Sequence, residues 1–263
     1  MDLSSIVGIL IGITAVIGTV FLESGSVSAI IQPDAALIVL GGTIGAGMVN
    51  FSTLTLINSI KDLKTVFFED SPDFNLAISR ICDLANIARQ QGQLIIQDVI
   101  PNIEDTFLKK CLKLSIDTNN QQFLQEAFDF ELEMEEEKGL ITSIFYETLG
   151  GYAPTFGIIG AVIGLIQVMK NIENPAELGY GISTAFVATL YGVGAANIVF
   201  LPIAGKLRYR LREKLLYKKL IVQGILAINK SENPVLIKEK LLNYLNFSEK
   251  YDLNDFSSRF AEN

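Results

Sequence analysis

The sequence predicts an all-α integral membrane protein, with four transmembrane helices and a helical cytoplasmic domain built from the 61–147 insert and the C-terminal tail. Three observations carry this. Four stretches, 3–22, 35–60, 148–169 and 178–205, contain no Asp, Glu, Lys or Arg. Crossing a hydrocarbon core takes about 20 apolar residues at about 1.5 Å each, so every stretch can span. One such window also suits a buried soluble helix; four in one chain do not. Charged residues make up 19% of the chain, below the roughly 25% of a soluble domain. Between the windows no strand-like alternation occurs, and Ala77, Ile81, Leu84 and Ala88 recur at helical spacing.

In chain order, span one covers 3–22. Only Asp2 precedes it and no small-residue cleavage site stands before Glu23, so a retained helix is expected rather than a signal peptide. Span two is placed at 35–53. The cytoplasmic insert, 54–147, reads as helices, with Gly92 and Pro101 as breaks. Its run Glu131, Glu133, Glu135, Glu136 and Glu137 reads as a solvated face. Spans three and four are placed at 148–169 and 181–203, and a helical tail occupies 204–263. Pro154 and Pro202 each remove a helical hydrogen bond and invite a kink. Small residues four apart (Gly8/Gly12, Gly41/Gly45, Gly157/Ala161, Gly160/Gly164, Ala188/Gly192) let helices approach closely, within one chain or between copies.

Orientation follows from Lys and Arg near the span ends. The 23–34 connection has neither and 170–177 has only Lys170, whereas Lys61 and Lys64 follow span two and seven bases between Lys206 and Lys219 follow span four. Both termini and the insert are therefore expected in the cytoplasm, where Cys82 and Cys111 stay reduced. From 61 to 147 the insert holds 8 basic and 17 acidic residues; from 206 onward the tail holds 12 and 7. Both are too short for separate enzymes with sizeable cores and are expected to form one helical layer.

Several functions are excluded. With no histidine, the chain has no Ser-His-Asp or Cys-His unit and no His-ligated metal. Two cysteines build neither a zinc site nor a disulfide framework. A net charge of −8 argues against nucleic acid as partner. Gly41, Gly42 and Gly45 lie within a span, without the strand-turn-helix context of a nucleotide site. No cofactor, metal or enzymatic activity is expected. The spans also lack the titratable groups that an ion carrier places there. Either a partner supplies one, or no ion crosses.

The segment Tyr152-Ala153-Pro154-Thr155-Phe156-Gly157-Ile158-Ile159-Gly160 resembles the third span of the flagellar stator A subunit family (MotA/PomA), within the MotA/TolQ/ExbB proton channel superfamily. The run Ala185-Phe186-Val187-Ala188-Thr189-Leu190-Tyr191-Gly192, with Leu201-Pro202-Ile203-Ala204, is similar to its fourth span. Met1-Asp2-Leu3, Leu37-Ile38-Val39-Leu40-Gly41-Gly42-Thr43, Glu232-Asn233-Pro234 and Glu239-Lys240-Leu241-Leu242 extend the resemblance along nearly the whole chain.

The resemblance implies a stator subunit of the bacterial inner membrane, coupling inward cation flow to torque on the flagellar rotor. It implies a homopentamer around a MotB/PomB-like B subunit, whose single transmembrane helix brings the missing membrane aspartate, and contact with the rotor switch protein FliG. Pro154 and Pro202 fall on the prolines coupling ion movement to conformational change. Thr189 falls on the threonine lining the ion path, and Arg89 on the basic rotor-facing residue. Where the family has glutamate this chain has Gln97, a departure that leaves the acidic half of the rotor contact open: Asp98 beside it either takes that role or is a solvated surface ion. Seven positions after Pro154, sodium-driven members carry threonine; here Ala161 offers no oxygen, which favours H+ over Na+. Two other readings are an ExbB/TolQ-like energising subunit, in a group that generally has three spans, and a non-conducting membrane scaffold.

Overall fold

The computed structural model describes residues 3–22, 30–68, 71–118, 120–170 and 175–245; residues 23–29 and 171–174 of the two connections and the tail beyond 245 lie outside them. All regular structure among the described residues is helical.

Helix α1, Leu3–Leu22, is apolar along its length. Helix α2 starts at Pro33–Ala36, widens into a π turn at Leu37–Gly41 and continues through Gly42–Asn50. Pro33 suits the first helical position because its missing N–H needs no partner there, and Asp34 faces the positive helix end. Within the expected 35–53 span the helix stops early: Phe51 is extended. The Ser52 hydroxyl then accepts from the Thr55 N–H at 3.2 Å and starts α3, Thr53–Phe68.

Side-chain caps recur in the insert, each satisfying N–H groups that a helix start leaves unpaired. Asp73 accepts from Leu76 N at 2.9 Å and opens α4, Phe74–Gln91. Gly92, at φ +92°, ends it in a conformation that costs other residues more. Short turns at Gln93–Ile95, Ile96–Val99 and Ile100–Asn102 follow, the last containing Pro101. Asp105 caps α5, Thr106–Asp117, through Phe107 N and Leu108 N, both 2.9 Å. Asn120 caps α6, Gln121–Lys170, which contains both the glutamate run and span three.

Helix α7 passes from Pro175–Gly194 through a π turn, Ala195–Phe200, into Leu201–Asn229. Pro202 follows that turn after one residue, Leu201. Proline has no N–H for the carbonyl four residues back, and the wider turn, with Leu201 N donating to Ala196 O, absorbs the disruption. A last helix, α8, runs over 234–245, capped by Asn233 through Val235 N at 3.1 Å. By length and composition, Gln121–Lys170 and Leu178–Asn229 are each apolar enough to cross a membrane; α1 adds a shorter apolar segment, Ile6–Thr19.

The chain divides into two compact units, Met1–Asp70 with Gly139–Arg210, and Ser71–Lys138 with Leu211–Asn263. In the first, large apolar side chains on α1, α2, α6 and α7 face outward, Phe186 to 74%. This inverts the soluble pattern and suits hydrocarbon or partner helices. Its inner contacts join Val66, Phe145, Tyr146, Leu149 and Ile203, and separately Ala35, Val39, Val187 and Ala188.

The second unit has an ordinary apolar core. Ile81, Leu84, Leu108, Leu112, Leu124 and Phe128 from the insert pack with Leu220, Ile221, Ile225, Ile237 and Leu241 from the tail. Gln93 Nε2 donates to the carbonyls of Ile228 (3.3 Å) and Asn229 (3.1 Å), satisfying the end of α7.

The glutamate run corrects one expectation. Glu133, Glu136 and Glu137 are exposed, but Glu131 meets Lys110 at 2.6 Å, and Glu135 receives both Lys214 (3.1 Å) and Lys218. The run is therefore not a uniformly solvated face. Partial burial raises the Glu135 pKa, yet hydrogen bonds from Lys218 and Lys214 outweigh it and hold the carboxyl below its ordinary value.

Candidate functional site

Span three, within α6, and span four, within α7, meet through glycines rather than interdigitating side chains. A Cβ on Gly157 would stand 3.0 Å from Ala188 O and 3.3 Å from the Cα atoms of Thr189 and Gly192. One on Gly192 would stand 2.6 Å from Ala153 O, 3.0 Å from Gly157 Cα and 3.2 Å from Pro154 Cα. Further along, a Cβ on Gly164 would come within 2.8 Å of Gly181 O and 2.9 Å of Ala185 N. Backbone thus lies on backbone over several turns, where dispersion and weak Cα–H···O contacts replace a hydrophobic driving force absent in lipid.

This crossing brings Pro154 and Thr189 onto one interface. Proline at 154 leaves the Gly150 carbonyl without its helical donor, and Gly192 of the facing helix covers that segment. Thr189 is half-buried, and its hydroxyl donates to Ala185 O at 3.2 Å. Ala161, half-buried, lies one turn beyond Gly157 toward the Gly164 crossing. Chemically the strip offers a close-packed seam, one hydroxyl and opened backbone carbonyls, with no titratable side chain.

From the same stretch of α7, Tyr191 OH donates to Ile30 O at 2.5 Å, and nearer the helix start Gln32 Nε2 donates to Ser183 Oγ at 2.7 Å. Tyr180 OH donates to Asp34 Oδ2 at 2.8 Å. These bonds tie the start of α2 to α7. Gln32 has no sequence signature, since a lone amide in a connection resembles any surface residue.

Pro202 does not join the glycine seam. It is exposed and lines a cleft of about 310 Å³ with Gly8, Gly12, Asn197 and Lys206. The second unit carries the remaining predicted residues. Arg89 is exposed in the last turn of α4, and Gln97 and Asp98 are exposed on the short Ile96–Val99 helix beyond the Gly92 turn. Each charge sits at the helix end whose dipole favours it. Neither makes an ion pair among the described residues.

Of the small-residue pairs, Gly157, Gly160, Gly164 and Gly192 are used inside the chain, whereas a Cβ on Gly8 or Gly45 would meet nothing within 4 Å. Spacing alone does not separate these groups. Among the described residues no cluster of His, Cys, Asp and Glu is arranged to hold a metal.

Comparison with known proteins follows this geometry. A family described as the MotA/TolQ/ExbB proton channel family matches residues 99–219, and one described as Motility protein A N-terminal matches 6–93. Motility protein A of Bacillus subtilis (strain 168) is 32% identical over 247 residues, covering 93% of this chain and 91% of that one. Chemotaxis protein PomA of Vibrio alginolyticus is 30% identical, covering 94% and 96%. The solved flagellar MotAB stator complex from Bacillus subtilis superposes with a TM-score of 0.87 at 31% identity, covering 96% of this chain and 99% of that chain. The C. jejuni MotAB structure gives 0.87 at 29%, covering 93% and 96%.

Proposed function

The chain belongs to the MotA/TolQ/ExbB proton channel family and is a stator subunit of the flagellar motor, and from that premise we propose how its residues work. It is a multipass inner-membrane protein that acts with a B subunit in an oligomer. We assign it four spans, with both termini and the 54–147 insert in the cytoplasm, and a pentameric ring around the B helices. The run of Lys and Arg after span four supports that orientation.

The observation that carries the mechanism is the seam joining Gly157 to Thr189 and Gly192 to Pro154. A cation passing the B subunit's aspartate exchanges partners beside the Thr189 hydroxyl. Because the two backbones touch there, a change at Thr189 moves Pro154 with little slack. Pro202 serves as the second flexible point, next to its π turn. Arg89 and Asp98, exposed on adjoining turns, present opposite charges to the rotor switch protein. Charge-free spans and alanine at 161 support H+ as the ion, since a dehydrated Na+ needs oxygen ligands.

Swimming speed measured across sodium concentrations at fixed pH, in wild type and Thr189→Ala, tests this. Speed independent of sodium, with slow swimming of the variant at normal membrane levels, is expected. Strong sodium dependence overturns the proton assignment, and unchanged swimming of Thr189→Ala removes the lining role.

A further inference from the structure

Leu94 is 76% exposed, more than any other large apolar side chain among the described residues of the second unit. Local structure holds it in water. Gly92, at φ +92°, turns the chain out of α4. Before Leu94, Gln93 Nε2 is pinned to the carbonyls of Ile228 and Asn229; after it, Ile96 and Ile100 are sunk in the core. With anchors on both sides pointing inward, the leucine between them points out. A single solvated leucine is ordinary on a protein surface. This one is not single.

Helix α7 ends beside Gln93. Its last carbonyls are closed by Ser231 N donating to Ile228 O (2.9 Å) and Glu232 N to Ala227 O (3.1 Å), with Ser231 left-handed at φ +54°. That paired closure turns the chain back at once, so α8 begins at the same end of the unit. Its first turn exposes Val235 to 65% and Leu236 to 58%, while Ile237 behind them is buried. Three large aliphatic side chains are therefore gathered at the end of α7 that Gln93 touches. Arg89, Asp98 and Lys230 are exposed around them. An apolar centre with a charged rim is the make-up of a protein contact: exposed charges orient a partner and add little affinity, and desolvated carbon adds more. Continuity selects the partner, because Leu94 lies in the chain between the rotor-facing Arg89 and Asp98.

We propose that Leu94, with Val235 and Leu236, is the apolar anchor of the rotor contact and seats in an aliphatic recess on the rotor switch protein. The inference rests on the rotor-facing role of Arg89 proposed above. Arg89 then sets where the partner docks, and the aliphatic patch sets how long it stays.

The test uses the full A–B complex in motile cells. Photoreactive benzoylphenylalanine replaces Leu94, Val235 or Gln90 (exposed beside Arg89) in turn, with Leu76, an exposed leucine at the opposite end of α4, as control. Cross-linked partners are identified by mass spectrometry. Probes at 94, 235 and 90 should reach the rotor switch protein, and the probe at 76 should not. Leu94→Ser should shorten the dwell of a fluorescent complex at the motor about tenfold, as truncation of one anchor does, and leave the melting temperature of the purified complex unchanged. Leu94→Met, apolar and of similar volume, should keep near-normal dwell. Normal dwell of Leu94→Ser overturns the proposal, as does a melting temperature that falls with the dwell, which would assign Leu94 to folding. Cross-links from 90 without any from 94 sink the anchor and leave the rotor-facing role of Arg89 standing. None from either position overturns both, and links from 94 to a second copy of this chain overturn the choice of partner.

Discussion

Replacing Gly192 with alanine adds one methyl group where the two inner helices touch. In the structure that carbon would sit 2.6 Å from Ala153 O, 3.0 Å from Gly157 Cα and 3.2 Å from Pro154 Cα. Carbon atoms rest about 3.5–4.0 Å apart, so the helices must separate locally by roughly 0.5–1 Å. All three opposing atoms are backbone and cannot rotate away. Overpacking of this kind costs typically ~1–3 kcal/mol, and ~2 kcal/mol shifts a folding equilibrium about thirtyfold. Gly151→Ala and Gly194→Ala are the controls, because a Cβ at either position meets nothing within 4 Å. Both should stay within about 0.5 kcal/mol of wild type. Thermal unfolding of the purified complex, followed by intrinsic fluorescence, ranks the three variants, and swimming speed at matched membrane abundance reports coupling. Gly192→Ala should melt well below both controls and swim slowly. If it melts with the controls, the close approach of Gly192 to Pro154 is wrong, and the mechanical argument built on that approach fails.

Arg89→Glu should weaken motor function at normal expression, with partial rescue by a compensating rotor charge; a normal motor would remove Arg89 from the contact. Glu135→Gln should lower stability by about 1 kcal/mol at neutral pH, the upper range for partly exposed ion pairs. The Glu135 carboxyl is held below its ordinary value of 4.5, so its contribution is complete above that pH and fades as the pH falls through the folded-state value. Melting temperatures of variant and wild type should therefore converge in acid, and a gap that persists there would count against the ion pairs. Burial pushes the Cys111 thiol up to about 12 and also raises that of half-buried Cys82. Maleimide at neutral pH should label Cys82 first and Cys111 only after unfolding, as peptide mass spectrometry would read; early labelling of Cys111 would contradict its place in the core.

Features that depend on local composition were legible in the sequence. The helical stripe Ala77-Ile81-Leu84 reaches the core of the second unit because amphipathic spacing is a property of the segment itself. The helix starts at Asp73, Asp105, Asn120 and Asn233 are equally local in cause, a short polar side chain reaching an N–H two or three residues on, but they emerge only in the structure. Gly92 ends α4 for a similarly local reason. The candidate site was legible only as positions. Pro154 and Thr189 were named on separate spans, and Pro202 was grouped with Pro154, although it lies in a different environment.

What the tertiary structure decided is which residues face each other. The acidic insert and basic tail differ in charge along the chain, but only their packing selects Glu131 and Glu135 for ion pairs and leaves Glu133, Glu136 and Glu137 exposed. Identical small-residue spacings became a seam at Gly157, Gly164 and Gly192 and open space at Gly8 and Gly45. The cause is physical. Hydrophobicity, charge and capping act within a few residues of one another, so order along the chain determines them. Contact between helices joins residues far apart in sequence, and a glycine's role depends on what lies across from it.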